Sequence, residues 1–509
     1  MACGRGGGLP PGDPARPDVV LVSIDTLRAD HLSSYGYSRP TSPFLDRLAA
    51  EGTRFANARS ASPWTLPAHC TLLSGQLPST HKVVEDTLSL DPRTPVLPEL
   101  FRAQGWATGG FVASLYVSRV FGFDRGFERF EDFGVHSEAK NLGGEVHASQ
   151  VVDAALAWWK QQQPGRPVFL FVHVYDVHYN YDPPPPYDTM FDRAPRPSDP
   201  RYRSYAFFKQ HPLDEEQLDH QIAQYDEAIR YVDDQLARLD AALRAAGRRP
   251  RWVVLADHGE EFGERGSWGH AHTLYAEQLH VPLIVAGPGV ERGRVVVEPV
   301  GNHDVAPTVA GWIGAASGLL ADGRDLASVL HGGAPPARSF PAETSRFTTN
   351  RVSLLEGPLR LDWDLAADRA ELFEPPTDPH ERRDLAEQRP DDVARLKARL
   401  LEILGRPWEA RTAGELRSPG VVLDAAGWHE GLAVVPGARF LVLPYDADLT
   451  LEADGHRAGP WRAIGGRRPG DGDPVALHET AAAGRVELDA ATRAALEALG
   501  YAHDGGSRH

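Results

Sequence analysis

Val19-Val-Leu-Val-Ser-Ile24 is an unbroken β-rich run, and Asp25-Thr26-Leu27-Arg28 follows it directly. An apolar run of this length without alternation predicts a strand buried on both faces. Three later runs share that character: Val168-Phe-Leu-Phe-Val-His173-Val174, Arg251-Trp-Val-Val-Leu-Ala256 and Val281-Pro-Leu-Ile-Val-Ala286. Ala107 to Ala113 adds a further strand. Between them lie helical stretches at Pro43 to Ala50, Pro95 to Gln104 and Ala148 to Gln162. The most regular helix carries Ile222, Ile229, Val232, Leu236, Leu239 and Leu243 at helical spacing and stops at Gly247. Asp304 reads as the cap of another, starting near Pro307. Strands alternating with helices predict an α/β fold with a large, mostly parallel central sheet and helices on both faces.

The second half is less regular. Val352 to Leu365 and the segment ending Glu371-Leu-Phe373 suit short hairpins, and Asp391 to Leu404 suits a helix. Roughly 415 to 485 reads as a small β-rich module, and Asp489 to Leu499 as a closing helix. The formal net charge of −17 argues against a nucleic-acid scaffold, which would carry a basic face. Two cysteines, Cys3 and Cys70, make neither a disulfide framework nor a zinc knuckle. No run approaches the ~20 apolar residues of a membrane span. Residues 1–16 read as a flexible linker. Ala2-Cys3-Gly4 at its head resembles the cleavage end of a bacterial lipoprotein signal, which would put a lipid anchor at Cys3 and the protein outside the cytoplasm, in the periplasm or at the cell surface. The other reading of this segment is a plain disordered tail, with a cytoplasmic protein.

The chemistry concentrates where strands end. In open α/β sheets the ligand site lies beyond the carboxyl ends of the strands. Asp25 follows the first strand, His173 to His178 the second, and Asp257-His258-Gly259 the third. Two carboxylates and an imidazole form a reasonable set for a divalent metal. Ser62-Pro-Trp-Thr65-Leu-Pro67-Ala-His69-Cys70-Thr-Leu-Leu-Ser-Gly75 adds a hydroxyl. Pro67 suits a first helical turn and Gly75 the residue past a helix end. Thr65 then sits at or beside the N-cap, where backbone N–H groups and the helix dipole favour an anion. Singly, each has a plain alternative: Thr65 as a cap, Asp25 and Asp257-His258 as turn residues, His270 and His272 as solvated side chains. Their joint placement is the signal.

The ordered set resembles the sulfatase family of the alkaline-phosphatase superfamily. The resemblance spans residues 17–405. Asp25 to Arg28, Thr65-Leu-Pro67-Ala-His69 and Phe171-Val-His173 to His178 carry it, with Asp257-His258-Gly259, Trp268-Gly-His270-Ala-His272, Asp304 and the Leu372 to Leu385 stretch. It implies a sulfatase-like catalytic domain over 17–345 and a smaller C-terminal α+β subdomain over 346–405; residues 406–509 read, from their short β-like runs, as an accessory β-rich module with a terminal helix. It also implies a metal at Asp25, Thr65, Asp257 and His258, and a covalent ester on Thr65. His178, and His270 or His272, would act on the ester and its leaving group, while His69 stands in the family's arginine place. Two departures stand out. Formylglycine sulfatases need Cys or Ser where this chain has Thr65, so no formylglycine is expected. The acidic pair after the first strand is reduced to Asp25-Thr26. Calcium, magnesium, manganese and zinc all remain open, and the imidazole tips the balance toward manganese or zinc. The expected activity is hydrolysis of a sulfuric or phosphoric ester on a small molecule, glycan or lipid. The alternatives are a phosphonate or phosphodiester hydrolase, an envelope transferase of phospho-head-groups, and a binding homologue that has lost the reaction.

Overall fold

A computed structural model of the chain describes residues 12–493 apart from 14, 134–145, 180, 193–210, 212, 347–349, 366, 368, 405–407, 425–426, 444–446, 463–466, 468, 470, 478–482, 487 and 491. The expectations for Cys3 and for most of the closing helix lie outside the described residues.

The central sheet is built from β1 (Val19–Ile24), β2 (Gly52–Arg59), β3 (Ala107–Val112), β4 (Arg129–Glu131), β5 (Val168–Val174), β6 (Arg251–Leu255), β7 (His280–Ala286), β8 (Arg294–Val296) and β9 (Val300–Gly301). Its order is β8-β2-β7-β6-β1-β5-β3-β4, with β9 also on β2. The strands β6, β1, β5, β3 and β4 run parallel. β7 enters antiparallel to both β6 and β2, which makes the sheet mixed while leaving it mostly parallel. β1 is central and every one of its residues is buried, as its unbroken apolar run requires.

Helices α1 (Pro43–Glu51), α2 (Thr65–Ser74), α3 (Leu97–Ala103), α4 (Ala148–Trp159), α5 (Glu215–Ala245) and α6 (Val305–Gly311) pack around this sheet. α5 opens with a capping box: Asp214 accepts from the N–H of Gln217 at 2.8 Å, and the Gln217 side chain accepts from the N–H of Asp214 at 3.0 Å. Buried Asp233 on α5 accepts from the N–H groups of Phe44 (2.7 Å) and Leu45 (2.9 Å), so one helix caps the start of another. Asp304 does not cap α6 with its side chain. It accepts from the N–H groups of Gly301 and Arg324, both at 2.8 Å, and pairs with Arg338, tying the loops before and after α6.

The second sheet is antiparallel, with strands β10 (Ser339–Thr344), β11 (Arg351–Glu356), β12 (Leu359–Asp364) and β13 (Arg369–Phe373) in sequence order. α7 (Pro390–Leu404) packs on it, giving the α+β subdomain; β10 opens the sheet at Ser339. A third sheet of seven strands occupies residues 408–477, the β-rich module. A two-residue strand at Gly484–Arg485 returns to pair with Leu88–Ser89 on the first unit. Among the described residues, no helix is long and apolar enough to cross a membrane.

Candidate active site

Three strand ends are knotted together at Thr26. Its φ of +56° is unusual for a β-branched residue. That conformation aims its N–H at Asp257 Oδ1 (3.3 Å) and its hydroxyl at the carbonyl of Val177 (2.8 Å), while its own carbonyl accepts from Tyr225 (2.9 Å). The ends of β1, β5 and β6 are thereby joined, with α5 as the backstop. Strain at a site of this kind costs on the order of 1–3 kcal/mol and persists where surrounding bonds over-determine it.

Asp25, Asp257 and His258 are fully buried at this junction, and one ligand atom from each falls within 4.8 Å of the others. His258 Nδ1 donates to the carbonyl of Gly259 (3.0 Å), which makes Nε2 the acceptor of the neutral ring. That nitrogen lies 3.3 Å from Asp257 Oδ2 and 3.7 Å from Asp25 Oδ1. Neither oxygen has a hydrogen-bond partner. Three acceptors thus face one another away from water, an arrangement that repels unless a cation or a proton lies among them. Burial pushes the Asp25 carboxyl up to about 7. Asp257 is raised too, by burial first and then by the neighbouring Asp25 charge. The donor set fits a divalent metal ion on these grounds.

Thr65 begins α2, whose ten residues are all buried. Its Oγ1 lies 3.3 Å from His258 Nε2, at the rim of the same cluster. Trp64 precedes it in extended conformation, and Gly75 ends the helix at φ +75°, the left-handed cap that glycine adopts without penalty. Cys70, on the same helix, is buried in the core with its thiol pushed up by desolvation. Gly259, next to His258, is equally constrained: its N–H donates to the carbonyl of Gln278 (2.7 Å), and a Cβ there would stand 2.1 Å from the carbonyl oxygen of Glu277.

His69 sits one turn along from Thr65, behind the cluster. Its Nδ1 donates to the carbonyl of Thr65 (2.8 Å), and its Nε2 faces the Ser23 hydroxyl at 3.0 Å. Burial pushes it down to about 3, so it is neutral at physiological pH. Both nitrogens being engaged, His69 holds the start of α2 against β1. His178 is clasped between two tyrosines: Nδ1 donates to the carbonyl of Tyr179 (2.6 Å), Nε2 meets Tyr175 Oη (3.0 Å), and the Tyr175 ring stacks on it at 4.2 Å. His270 lies with its ring 4.5 Å from that of His258 and 5.0 Å from that of His178. His272 turns the other way, because Ala271 between them adopts φ +77°. Its Nε2 meets Ser267 Oγ and Glu261, and its Nδ1 donates to the carbonyl of His270. The structure therefore brings together Asp25, Thr65, Asp257 and His258, sets His270 and His178 beside them, puts His69 behind, and leaves His272 in a separate network.

Two further residues belong here that the strand-end reading left without a role. His173 Nε2 lies 3.2 Å from Asp25 Oδ2, because the parallel register sets His173 opposite Ser23. Glu260 Oε1 pairs with His270 Nδ1 at 2.9 Å, and burial raises its carboxyl well above the usual range. The run Asp257-His258-Gly259-Glu260 contained that signal; the sequence did not show that Glu260 would face His270.

The sulfatase family profile matches residues 17–315. The chain belongs to the sulfatase family. Its catalytic unit is similar to a multifunctional alkaline phosphatase superfamily protein of Trinickia caryophylli, 25% identical over 402 residues, with 63% of this chain and 78% of that protein covered. It is also similar to a choline-sulfatase of Rhizobium meliloti, 24% identical over 75% of this chain and 85% of the relative. Among solved structures, the phosphonate monoester hydrolase of Agrobacterium radiobacter superposes with a TM-score of 0.62 at 21% identity, covering 76% of this chain and 95% of that one, a likeness of fold. The family is one of ester hydrolases, and this sulfatase-family chain is placed among them.

Proposed function

We propose that this protein is a metal-dependent ester hydrolase in which Thr65 is the nucleophile, with phosphoric diesters and phosphonate monoesters preferred to sulfate esters. The observation that carries the reading is Thr65 Oγ1 at 3.3 Å from His258 Nε2, in one buried cluster with Asp25 and Asp257. Asp25, Asp257 and His258, with Thr65 at the rim, would hold the metal; bound there, it would neutralise ester oxygens and favour ionisation of the Thr65 hydroxyl. Manganese or zinc suits the mixed oxygen and nitrogen donors.

Thr65 Oγ1 attacks phosphorus, the bond to the leaving alcohol breaks, and a phosphoryl ester remains on Thr65 until water cleaves it. The start of α2 directs backbone N–H groups and the positive end of the helix dipole toward the anion. His270 presents its imidazole to the leaving oxygen, with Glu260 fixing its ring, and His178, held through both nitrogens by Tyr175 and Tyr179, packs beside it. A threonine side chain is not the residue converted to formylglycine, so this nucleophile suits phosphorus. The name of the Trinickia relative, multifunctional within the superfamily, is in keeping with that choice. The subdomain built on β10 to β13 belongs to this catalytic unit, and the β-rich module is an accessory to it.

The test is a panel of chromogenic phosphate mono- and diesters, phosphonates and sulfate esters, with chelated and Thr65→Ala controls. Thr65→Ala is expected to lower turnover by at least about 1,000-fold while the thermal midpoint holds. Turnover unchanged in Thr65→Ala would exclude the covalent route, and sulfate esters cleaved faster than phosphodiesters would reverse the preference.

A further inference from the structure

The two oxygens of Asp25 have different surroundings. Oδ1 faces His258 Nε2 at 3.7 Å inside the cluster and has no hydrogen-bond partner among the described residues. Oδ2 lies 3.2 Å from His173 Nε2. Backbone register sets up this pairing. β1 and β5 run parallel with Ser23 opposite His173, and the Asp25 N–H donates to the carbonyl of Val174 at 3.0 Å. Asp25, one residue past β1, is thereby carried alongside the end of β5. His173 is fully buried, and the ring of His69, itself anchored on Ser23, meets the His173 ring near edge to face at 4.9 Å.

The proton of this imidazole has one useful place. Burial pushes His173 down to about 4, so the ring is neutral and carries a single N–H. Nδ1 is buried and has no hydrogen-bond partner among the described residues. A proton there would be a buried donor without an acceptor, and it would leave Nε2 and Asp25 Oδ2 as two acceptors face to face, which is costly away from water. The proton therefore sits on Nε2 and is donated to Oδ2. His173 is not one of the residues whose ligand atoms gather within 4.8 Å; among the described residues those are Asp25, Asp257 and His258. We infer that His173 is a positioning residue for the metal: its Nε2–H holds one oxygen of Asp25, so that only the other is offered to the ion. The inference rests on the proposed metal at Asp25, Asp257 and His258.

Metal binding reads this without turnover. Manganese is titrated calorimetrically into the metal-free full chain and its His173→Gln, His173→Asn and His173→Leu variants. A glutamine amide reaches the place of Nε2, whereas an asparagine amide reaches only that of Nδ1. His173→Gln is expected to bind manganese nearly as tightly as the wild type. His173→Asn and His173→Leu should bind it about 10- to 100-fold more weakly, the effect of losing an outer-shell donor to a ligating group. Equal affinity in all four chains overturns the inference. So does a loss in His173→Gln as large as in His173→Leu, or a His173→Asn variant that binds like the wild type. A second measurement needs no variant to fold. In wild-type crystals soaked with manganese, Asp25 is expected to meet the ion through one oxygen, with the other still on His173 Nε2. Chelation by both oxygens, or His173 turned onto the ion, overturns the inference and leaves the metal site standing. If the wild type takes up no manganese by either measure, the metal-site reading fails and takes this inference with it.

Discussion

The role of His69 is decided by two hydrogen bonds. It lies in the place of a family arginine, yet both of its nitrogens are spent on the carbonyl of Thr65 and the hydroxyl of Ser23. It acts as a positioning residue. His69→Leu keeps the volume but strands a buried hydroxyl and a carbonyl, at a cost of about 2–3 kcal/mol in chemical denaturation. Turnover should fall because Thr65 loses its anchor. The shape of the pH–rate profile should stay the same, because burial holds His69 at about 3 and it does not titrate near neutrality. A lost limb in that profile would show that His69 exchanges a proton with substrate.

Among the elements, the turn from β6 to the Gly259 segment has little tolerance. Asp257 and His258 reach the cluster only because Gly259 lets the backbone pass against Glu277, where a Cβ would stand 2.1 Å from a carbonyl oxygen. Gly259→Ala must therefore move backbone, and a loss of more than about 2 kcal/mol is expected, with metal affinity lowered in parallel. Denaturation and metal titration on the same variant check both. The second sheet grips the catalytic unit nearby. Arg360 on β12 is buried and pairs in forked fashion with buried Glu381, whose Oε2 also accepts from the N–H of Ala276 at 3.0 Å. Glu381→Ala removes the forked partner and leaves that guanidinium with Asp362 at 3.4 Å, so the cost in urea should fall at the lower end of about 3–5 kcal/mol. Glu381→Gln should recover part of it.

For the whole molecule, the metal question becomes a stability question. Without metal, Asp25 holds its proton to about pH 7 in the fold, against an ordinary 3.8. Between those values the native state binds more protons than the unfolded chain, so metal-free stability falls as pH rises from about 4 to about 7. Metal requires the carboxylates ionised, so its affinity rises over the same range. Thermal midpoints of chelated protein are expected to drop with pH across that window, and midpoints with manganese or zinc to hold or rise. Parallel curves with and without metal would remove Asp25 from the ligand set. The chain also returns on itself at this scale, since Gly484–Arg485, beyond the β-rich module, pairs with Leu88–Ser89 of the first unit.

The sequence by itself determined the α/β class and the strands that carry the cluster. Continuous apolar runs such as Val19–Ile24 have only one stable place, the middle of a covered sheet, and a polar residue straight after them must lie at its edge. Asp25, Asp257 and His258 were legible for that reason, because chain direction alone puts strand ends together; Thr65 was legible separately, as a hydroxyl at a helix start. Strand direction within the sheet was not legible: nothing in His280–Ala286 distinguishes an antiparallel insert from a parallel neighbour, and Gly52–Arg59 carries too little apolar pattern to announce a strand. Tertiary structure alone chose between His270 and His272, through one left-handed residue at Ala271. It alone moved His69 behind the cluster and set Glu260 against His270. Those placements depend on register and on loop dihedrals, which are fixed by packing between segments up to hundreds of residues apart and leave no periodic trace in the local sequence.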